Sequence, residues 1–298
     1  MEQTILIFKI KTSRLKARNL ALAEVQSFLS DIETATVVIG GPLSTEKGII
    51  AAYLPENINI NNWEYERLGY IQQIDVMVPE SKPSQNTIKW HGAFYSLEPI
   101  YQEDSEKVRN QAPDKRQFLL PDPNGVLRYV TGYRGDGTET GKRALPVEDC
   151  KLMLNLSNVK NGQRVLDPFA GGGGIVFAAI QAGLDTYSSD IDSKLQYGLC
   201  DFGSNHYVAD ISQLPFDNDF FDAVVTEAPF DKNVTKNVAN GLSEMKRVIK
   251  PSGQIVLMVA DYQAPTIRDH AISLGFSIDI DEPLDRKGTA VHIFRFKK

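Results

Sequence analysis

The stretch Asp167-Pro168-Phe169-Ala170-Gly171-Gly172-Gly173-Gly174 sets an acid at the end of a short apolar run and four glycines directly before the next one. Glycine tolerates positive φ and lets a ligand lie against the backbone, and a helix opening behind such a turn aims its first N–H groups at that ligand. Several nucleotide sites use this arrangement. A nicotinamide site is one, but its GxGxxG spacing is not cleanly present, because Ile175, Val176 and Phe177 follow the glycines directly. Two further acids stand downstream. Asp190 ends Thr186-Tyr187-Ser188-Ser189, where a carboxylate can accept both hydroxyls of a ribose, with Asp192 as the nearby rival. Asp210, in Val208-Ala209-Asp210-Ile211, is placed to take an adenine amino group. Turns favour Asp for their own reasons, so each acid alone reads more simply as a strand-terminating surface residue. Their joint order is what points to an adenosine.

The elements that must carry these residues follow from apolar periodicity. From Pro146 the chain alternates: helix 147–158, strand 164–166, helix 175–182, strand 186–189, strand 223–226, helix 237–249, strand 254–259 and helix 265–274. Such a βαβ series predicts an α/β fold, a doubly wound parallel sheet with ligands at the C-terminal strand ends. The first part predicts a smaller α+β domain over 1–85. It has strands at 4–10, 35–39, 49–54 and 73–78, an amphipathic stretch at 17–29 and a helix at 63–70, and it closes at Pro79 and Pro83. Residues 86–142 read as a connector, with a loop at 132–141, and 143–298 as the second domain.

A length of 298 residues suits two domains, and 42% hydrophobic with 23% charged residues suits globular cores. The N-terminus has no basic segment followed by a long apolar run, and no apolar run approaches the ~18 residues of a membrane helix, so a cytoplasmic protein without membrane association is expected. Cys150 and Cys200 lack a CxxC spacing and read as buried free thiols. His91, His206, His270 and His292 form no ligand spacing, so no metal is expected. The Arg-Gly-Asp triplet at 134–136 reads as chance. A net charge of −6 argues mildly against nucleic acid. Lys9, Lys11, Arg14, Lys16 and Arg18 are a local exception, read first as a solvated helix entrance.

Four pieces, DPFAGGGG at 167–174, SSDID at 188–192, ADISQLPFDNDFFDAVV at 209–225 and EMKRVIKPSGQIVLMV at 244–259, resemble in order and spacing the class I S-adenosylmethionine-dependent methyltransferases, across roughly 143–298. The resemblance implies a Rossmann-like domain that binds S-adenosylmethionine. Asp167 and the loop residues Phe169, Ala170, Gly171 and Gly173 would hold the methionine portion, Asp190 with Ile191 the ribose, and Asp210 with Ile211 the adenine. Arg143 and Pro146 fall where the family's approach segment lies against the cofactor, or they anchor the helix start.

The opening Asp-Pro-Phe looks like the subset that methylates exocyclic amino groups of nucleic-acid bases. That subset ends its fourth strand in Asp/Asn-Pro-Pro-Tyr/Phe, where this chain has Glu227-Ala228-Pro229-Phe230. An exocyclic nitrogen has its lone pair delocalised into the ring, so two hydrogen-bond acceptors are needed to localise it and aim it at the methyl. Glu227 and the Ala228 carbonyl are the candidates, with Phe230 as a stacking face. The plainer alternative has Glu227 capping a strand and Phe230 in the core. Within the subset, Arg67-Leu68-Gly69-Tyr70 and the approach segment 142–156 are similar to the THUMP-containing tRNA guanine-N2 methyltransferases. That likeness implies an RNA substrate, tRNA first, with the cations between Lys9 and Arg18 as candidate phosphate contacts. The acidic charge would then require a localised basic face or a partner subunit. A small-molecule methyltransferase and a non-catalytic cofactor- or RNA-binding relative remain as alternatives.

Overall fold

Alternating side-chain direction along a strand lets one sheet bury both faces when both are apolar, and Thr4–Ile10 (β1) does so: Leu6, Ile7 and Phe8 are fully buried. The computed structural model describes residues 3–43, 46–56, 58–133, 145–286 and 288–298. The chain divides into two compact units, Met1–Val108 and Arg109–Lys298. No helix among the described residues is long and apolar enough to cross a membrane. Arg143 and the triplet 134–136 lie outside the described residues.

In the first unit β1 is followed by α1 (Arg18–Phe28), β2 (Thr36–Ile39), β3 (Ile49–Leu54), β4 (Ile71–Glu80), β5 (Ile88–Trp90) and β6 (Ala93–Gln102). The strands form an antiparallel sheet in the order β2-β3-β1-β4-β6-β5. The sheet thus runs past residue 85, because β4 and β6 pair over most of their length across the proline-marked turn. The helix expected at 63–70 is reduced to a single 3-10 turn, Tyr65–Arg67. The reason is a buried carboxylate: Glu24 of α1 accepts the N–H groups of Gly69 at 2.5 Å and Tyr70 at 2.9 Å, which removes those donors from any helical ladder.

The basic cluster is mostly internal. Lys9 pairs with buried Asp75 at 2.9 Å, Lys11 with Glu103 at 2.5 Å, and Arg14 is buried with its guanidinium 5.0 Å from the Tyr70 ring. These three cations are engaged within the unit, which leaves Lys16 and Arg18 exposed.

A short helix, α2 (Ser105–Asn110), spans the division between the units. The second unit continues with β7 (Gln117–Pro121), β8 (Leu127–Thr131), α3 (Val147–Leu156), β9 (Arg164–Asp167), α4 (Gly174–Gln181), β10 (Asp185–Asp190), α5 (Gln196–Asp201) and β11 (Asn205–Val208). Then come β12 (Phe221–Glu227), α6 (Thr235–Val248), β13 (Ile249–Ala260), α7 (Ala264–Ser273), β14 (Ser277–Arg286) and β15 (Thr289–Lys297). The sheet order is β11-β10-β9-β12-β13-β15-β14. Its first five strands pair in parallel, as the alternating pattern requires, and β15 inserts antiparallel between β13 and β14. This terminal hairpin has no counterpart in the alternation read from the sequence, whereas β11 ends two residues before Asp210, close to the strand end expected there. Strand β9 sits centrally, with β10 and β12 on either side, so the order reverses at β9 and opens a crevice at its C-terminal end. The sheet's core collects Leu166, Val224, Leu257 and Phe294 with α6 residues Val238, Leu242 and Met245, all buried.

The hairpin β7–β8, expected as featureless connector, packs through Phe118 onto Ala170, Val176, Leu195 and Leu199, directly behind the glycine turn. Gly198 of α5 permits this, because a Cβ there would fall 2.4–2.5 Å from three Phe118 ring atoms. The ring cannot retreat easily, being stacked on Tyr133 at 5.1 Å and edge-on to Phe202 at 5.4 Å. Alanine's better helix propensity is worth ~1 kcal/mol, whereas overpacking a filled core costs ~1–3 kcal/mol. Gly198→Ala is therefore expected to lower the unfolding midpoint in urea; a raised midpoint would contradict the tight Phe118 seat.

Candidate active site

Asp167, Phe169, Ala170, Gly171, Asp190, Ile191, Asp210, Ile211 and the turn Glu227-Ala228-Pro229-Phe230 line one cavity of about 990 Å³ at the C-terminal ends of β9, β10, β11 and β12, whereas Gly173 and Pro146 do not. Each strand contributes its terminal residues because in a parallel sheet all these ends share one side. Gly173 has another task. It is the residue before α4, at φ 71°, and a Cβ on it would come within 3.0 Å of Leu199 and Phe202. Gly171 is also left-handed, at φ 47°. These two positions turn the chain from β9 into α4 with the helix N-terminus facing the cavity.

Asp167 ends β9 and is buried. Its Oδ1 accepts the Thr226 hydroxyl at 2.6 Å and the Phe169 N–H at 3.3 Å. Burial nevertheless outweighs these bonds and pushes its carboxyl up to about 7. Asp190 ends β10 and uses both oxygens: Oδ2 accepts the Gly171 N–H at 2.9 Å and Oδ1 the Asp192 N–H at 3.0 Å. The glycine turn is thereby tied to the neighbouring strand. The rival Asp192 does not line the cavity, and its carboxylate accepts the Lys194 N–H at 3.0 Å to cap a short turn. Beside Asp190, Ile191 leaves 70% of its surface exposed, an apolar lip at the cavity. Asp210 follows β11 and accepts the Ser212 N–H at 2.8 Å, a bond that holds its carboxyl below the usual range. Ile211 is buried against Gly241 of α6, where a Cβ would come 2.5 Å from it. The loop beyond is fastened by Arg247, which donates to the carbonyls of Leu214 at 2.9 Å and Phe216 at 2.7 Å.

Across the cavity, Glu227 ends β12 with one carboxylate oxygen held by the guanidinium of buried Arg286, at the end of β14. Arg286 also lies 5.6 Å from the centroid of the Phe230 ring. Ala228 donates its N–H to the Met258 carbonyl at 2.9 Å, continuing the parallel ladder by one step. The next step is diverted: fully buried Gln263 accepts the Ala260 N–H at 3.0 Å, the donor that a continued ladder would send to the Ala228 carbonyl, and gives its own N–H to the Pro229 carbonyl at 3.1 Å. Thr226, Gln263 and Arg286 were not found from sequence. Only Thr226, adjacent to Glu227, carried a positional signal, since the other two reach the site from elements over 30 residues downstream.

The donor set fits S-adenosylmethionine. Carboxylates stand at successive strand ends, apolar Ile191 and Ile211 follow Asp190 and Asp210 in the lining, and the glycine backbone leaves room for close approach. Because the Asp167 carboxyl titrates near 7 when folded and near ~3.9 when unfolded, the native state binds the extra proton, and this group's contribution to stability falls as pH rises from ~4 to about 7. Asp167→Asn is expected to flatten that decline in urea midpoints measured without ligand; parallel curves for variant and wild type would contradict it.

Residues 166–257 match the family described as Methyltransferase domain. The chain is 34% identical over 133 residues to the tRNA (guanine(10)-N2)-dimethyltransferase of Methanothermobacter thermautotrophicus, a match covering 42% of this chain and 33% of that protein. It is 38% identical over 111 residues to the ubiquinone/menaquinone biosynthesis C-methyltransferase UbiE of Burkholderia vietnamiensis, covering 34% of this chain and 45% of that protein. The chain thus spans less than half the length of either relative. The crystal structure of TrmN from Thermus thermophilus is similar over 100% of both chains, with a TM-score of 0.53 at 14% identity, a likeness of fold. With the glycine turn, the strand order and the family match in agreement, residues 166–257 carry a methyltransferase domain.

Proposed function

We propose that the protein transfers the methyl group of S-adenosylmethionine to an exocyclic amino group of a base in RNA, with guanine N2 of tRNA as the favoured target. The observation that carries this reading is the turn Glu227-Ala228-Pro229-Phe230, which shares one cavity with the glycine turn and offers two acceptors beside an aromatic face. The cofactor supplies an electrophilic methyl on a sulfonium. The protein supplies geometry. Arg286 fixes the Glu227 carboxylate, and Gln263 takes the N–H that would otherwise occupy the Ala228 carbonyl, so both oxygens can accept the two hydrogens of an amino group and turn its lone pair towards the methyl. Strong basicity is not required, so pairing Glu227 with a guanidinium costs little while orienting it. Phe230 would stack on a base that is unpaired or flipped out.

The activity for which the Methanothermobacter thermautotrophicus relative is named, on guanine N2 of a tRNA, supports the same substrate class. So does the THUMP-like stretch Arg67-Leu68-Gly69-Tyr70, although here Gly69 and Tyr70 bond to Glu24 within their own unit. Such a substrate would place the protein in the cytoplasm. With three of the five N-terminal cations engaged internally, RNA binding would call on Lys16, Arg18, other basic surface or a partner subunit. A small-molecule acceptor is the second reading, favoured by the match to the quinone-pathway C-methyltransferase.

Purified protein incubated with labelled cofactor and RNA from a strain lacking the gene is expected to place label in a base-methylated nucleoside, chiefly N2-methylguanosine, identified by mass spectrometry. Label confined to small metabolites would replace this reading with the second. Glu227→Ala is expected to lower kcat/KM on the order of 10²-fold, and Glu227→Gln, which keeps an acceptor oxygen, markedly less; equal losses would contradict the acceptor role. Phe230→Ala is expected to raise KM for RNA, since base stacking is worth ~1–3 kcal/mol.

A further inference from the structure

Arg116 precedes β7, in the stretch that carried no sequence signal, and lines the cofactor cavity. Its Nη1 donates to the Gly173 carbonyl at 3.2 Å, and its guanidinium lies 5.2 Å from the centroid of the Phe177 ring. A Cβ on Gly174 would lie 3.9 Å from Nη2, so the guanidinium bounds the space in front of the first residue of α4. Among the described residues no carboxylate pairs with it, although burial pulls its guanidinium below the usual value and the nearby thiol of Cys150 is itself pushed up to about 12 and so stays neutral. A partly buried cation held by one neutral carbonyl and one aromatic face, beside a helix N-terminus that itself favours negative charge, is suited to receive an anion.

The same cavity holds the converse group. Asp167 is a buried carboxylate with no cationic partner among the described residues, satisfied only by a hydroxyl and one N–H. One buried acid and one guanidinium, unpaired and lining a single pocket at the glycine turn, are complementary to a zwitterion. The ammonium of an α-amino acid would pair with Asp167, and its carboxylate remains to be met.

We propose that Arg116 binds the carboxylate of the cofactor's methionine end, together with the N-terminal N–H groups of α4. This rests on the cofactor occupying the cavity. It makes the hairpin that carries Arg116 part of the cofactor site, seated there by Phe118 against Gly198.

The test compares two ligands by calorimetry: S-adenosylhomocysteine, which has the amino-acid end, and methylthioadenosine, which keeps the nucleoside and sulfur but lacks it. Wild type is expected to bind both, the first more tightly. Arg116→Gln is expected to weaken S-adenosylhomocysteine about tenfold or more while leaving methylthioadenosine within about twofold. Arg116→Lys, which keeps the charge but loses the fork, should give a smaller loss, again confined to S-adenosylhomocysteine. Equal losses for both ligands, or no loss for S-adenosylhomocysteine, would overturn the assignment. Failure of wild type to bind either ligand would remove the cofactor from this cavity and the role of Arg116 with it.

Discussion

One hydrogen bond organises the site: the Thr226 hydroxyl on β12 donates to the Asp167 carboxylate on β9. These are adjacent strands at the point where the sheet order reverses, so their ends converge whether or not anything is bound. Asp167 leads directly into the glycine turn and Thr226 directly into Glu227-Ala228-Pro229-Phe230. The bond therefore ties the glycine turn to the turn Glu227-Ala228-Pro229-Phe230 across the cavity they share. It also accounts for the persistence of a buried acid. Without the hydroxyl and the Phe169 N–H, Asp167 would be an unsatisfied carboxyl in an apolar strand end, a costly arrangement for a group already pushed up to about 7.

Around that bond the site is held by groups drawn from far along the chain. Asp190 reaches sideways to Gly171, so the β10 end sets the height of the glycine turn. Arg286 reaches from β14 to Glu227, and Gln263 reaches from the start of α7 to both Ala260 and Pro229. In the tetrapeptide Asp/Asn-Pro-Pro-Tyr/Phe, which the turn Glu227-Ala228-Pro229-Phe230 resembles, two prolines stiffen the backbone covalently. Where this chain has Ala228 instead, Gln263 supplies stiffness by hydrogen bonding and redirects a ladder donor away from the carbonyl. Glu227 is one methylene longer than the Asp of that tetrapeptide, and Arg286 anchors the extra reach.

What was legible in the sequence was what depends on local pattern. The strands with strict apolar runs, β1, β3, β9 and β13, and the helices α3, α4, α6 and α7 fall close to the expected spans, as do the acids at strand ends. The rest depends on distant partners. Residues 63–70 resembled a helix, but Glu24, more than 40 residues earlier, claims the N–H groups the helix needed. The hairpin β7–β8 looked like linker because β8 is exposed along its whole length, and the docking of Phe118 against Gly198 and the residues behind the glycine turn gives it a place. Strands β14 and β15 were hidden by their charged residues. Asp279, paired with Arg295 of β15, and Asp281, paired with Arg268 of α7, interrupt the apolar alternation of β14. Cys200, expected buried, is exposed, and Gly173 serves the chain's turn without lining the cavity. Arg116 carried no local pattern at all.

The proposal that the ends of β9 and β12 bring cofactor and acceptor together is tested most directly by a crystal structure of the protein with S-adenosylhomocysteine. The amino-acid end should lie between Asp167 and the N-terminus of α4, the ribose on Asp190, and the sulfur should face the turn of Glu227 and Phe230. A ligand found with its adenine against Glu227, or outside the cavity, would contradict the arrangement derived from the Thr226–Asp167 bond.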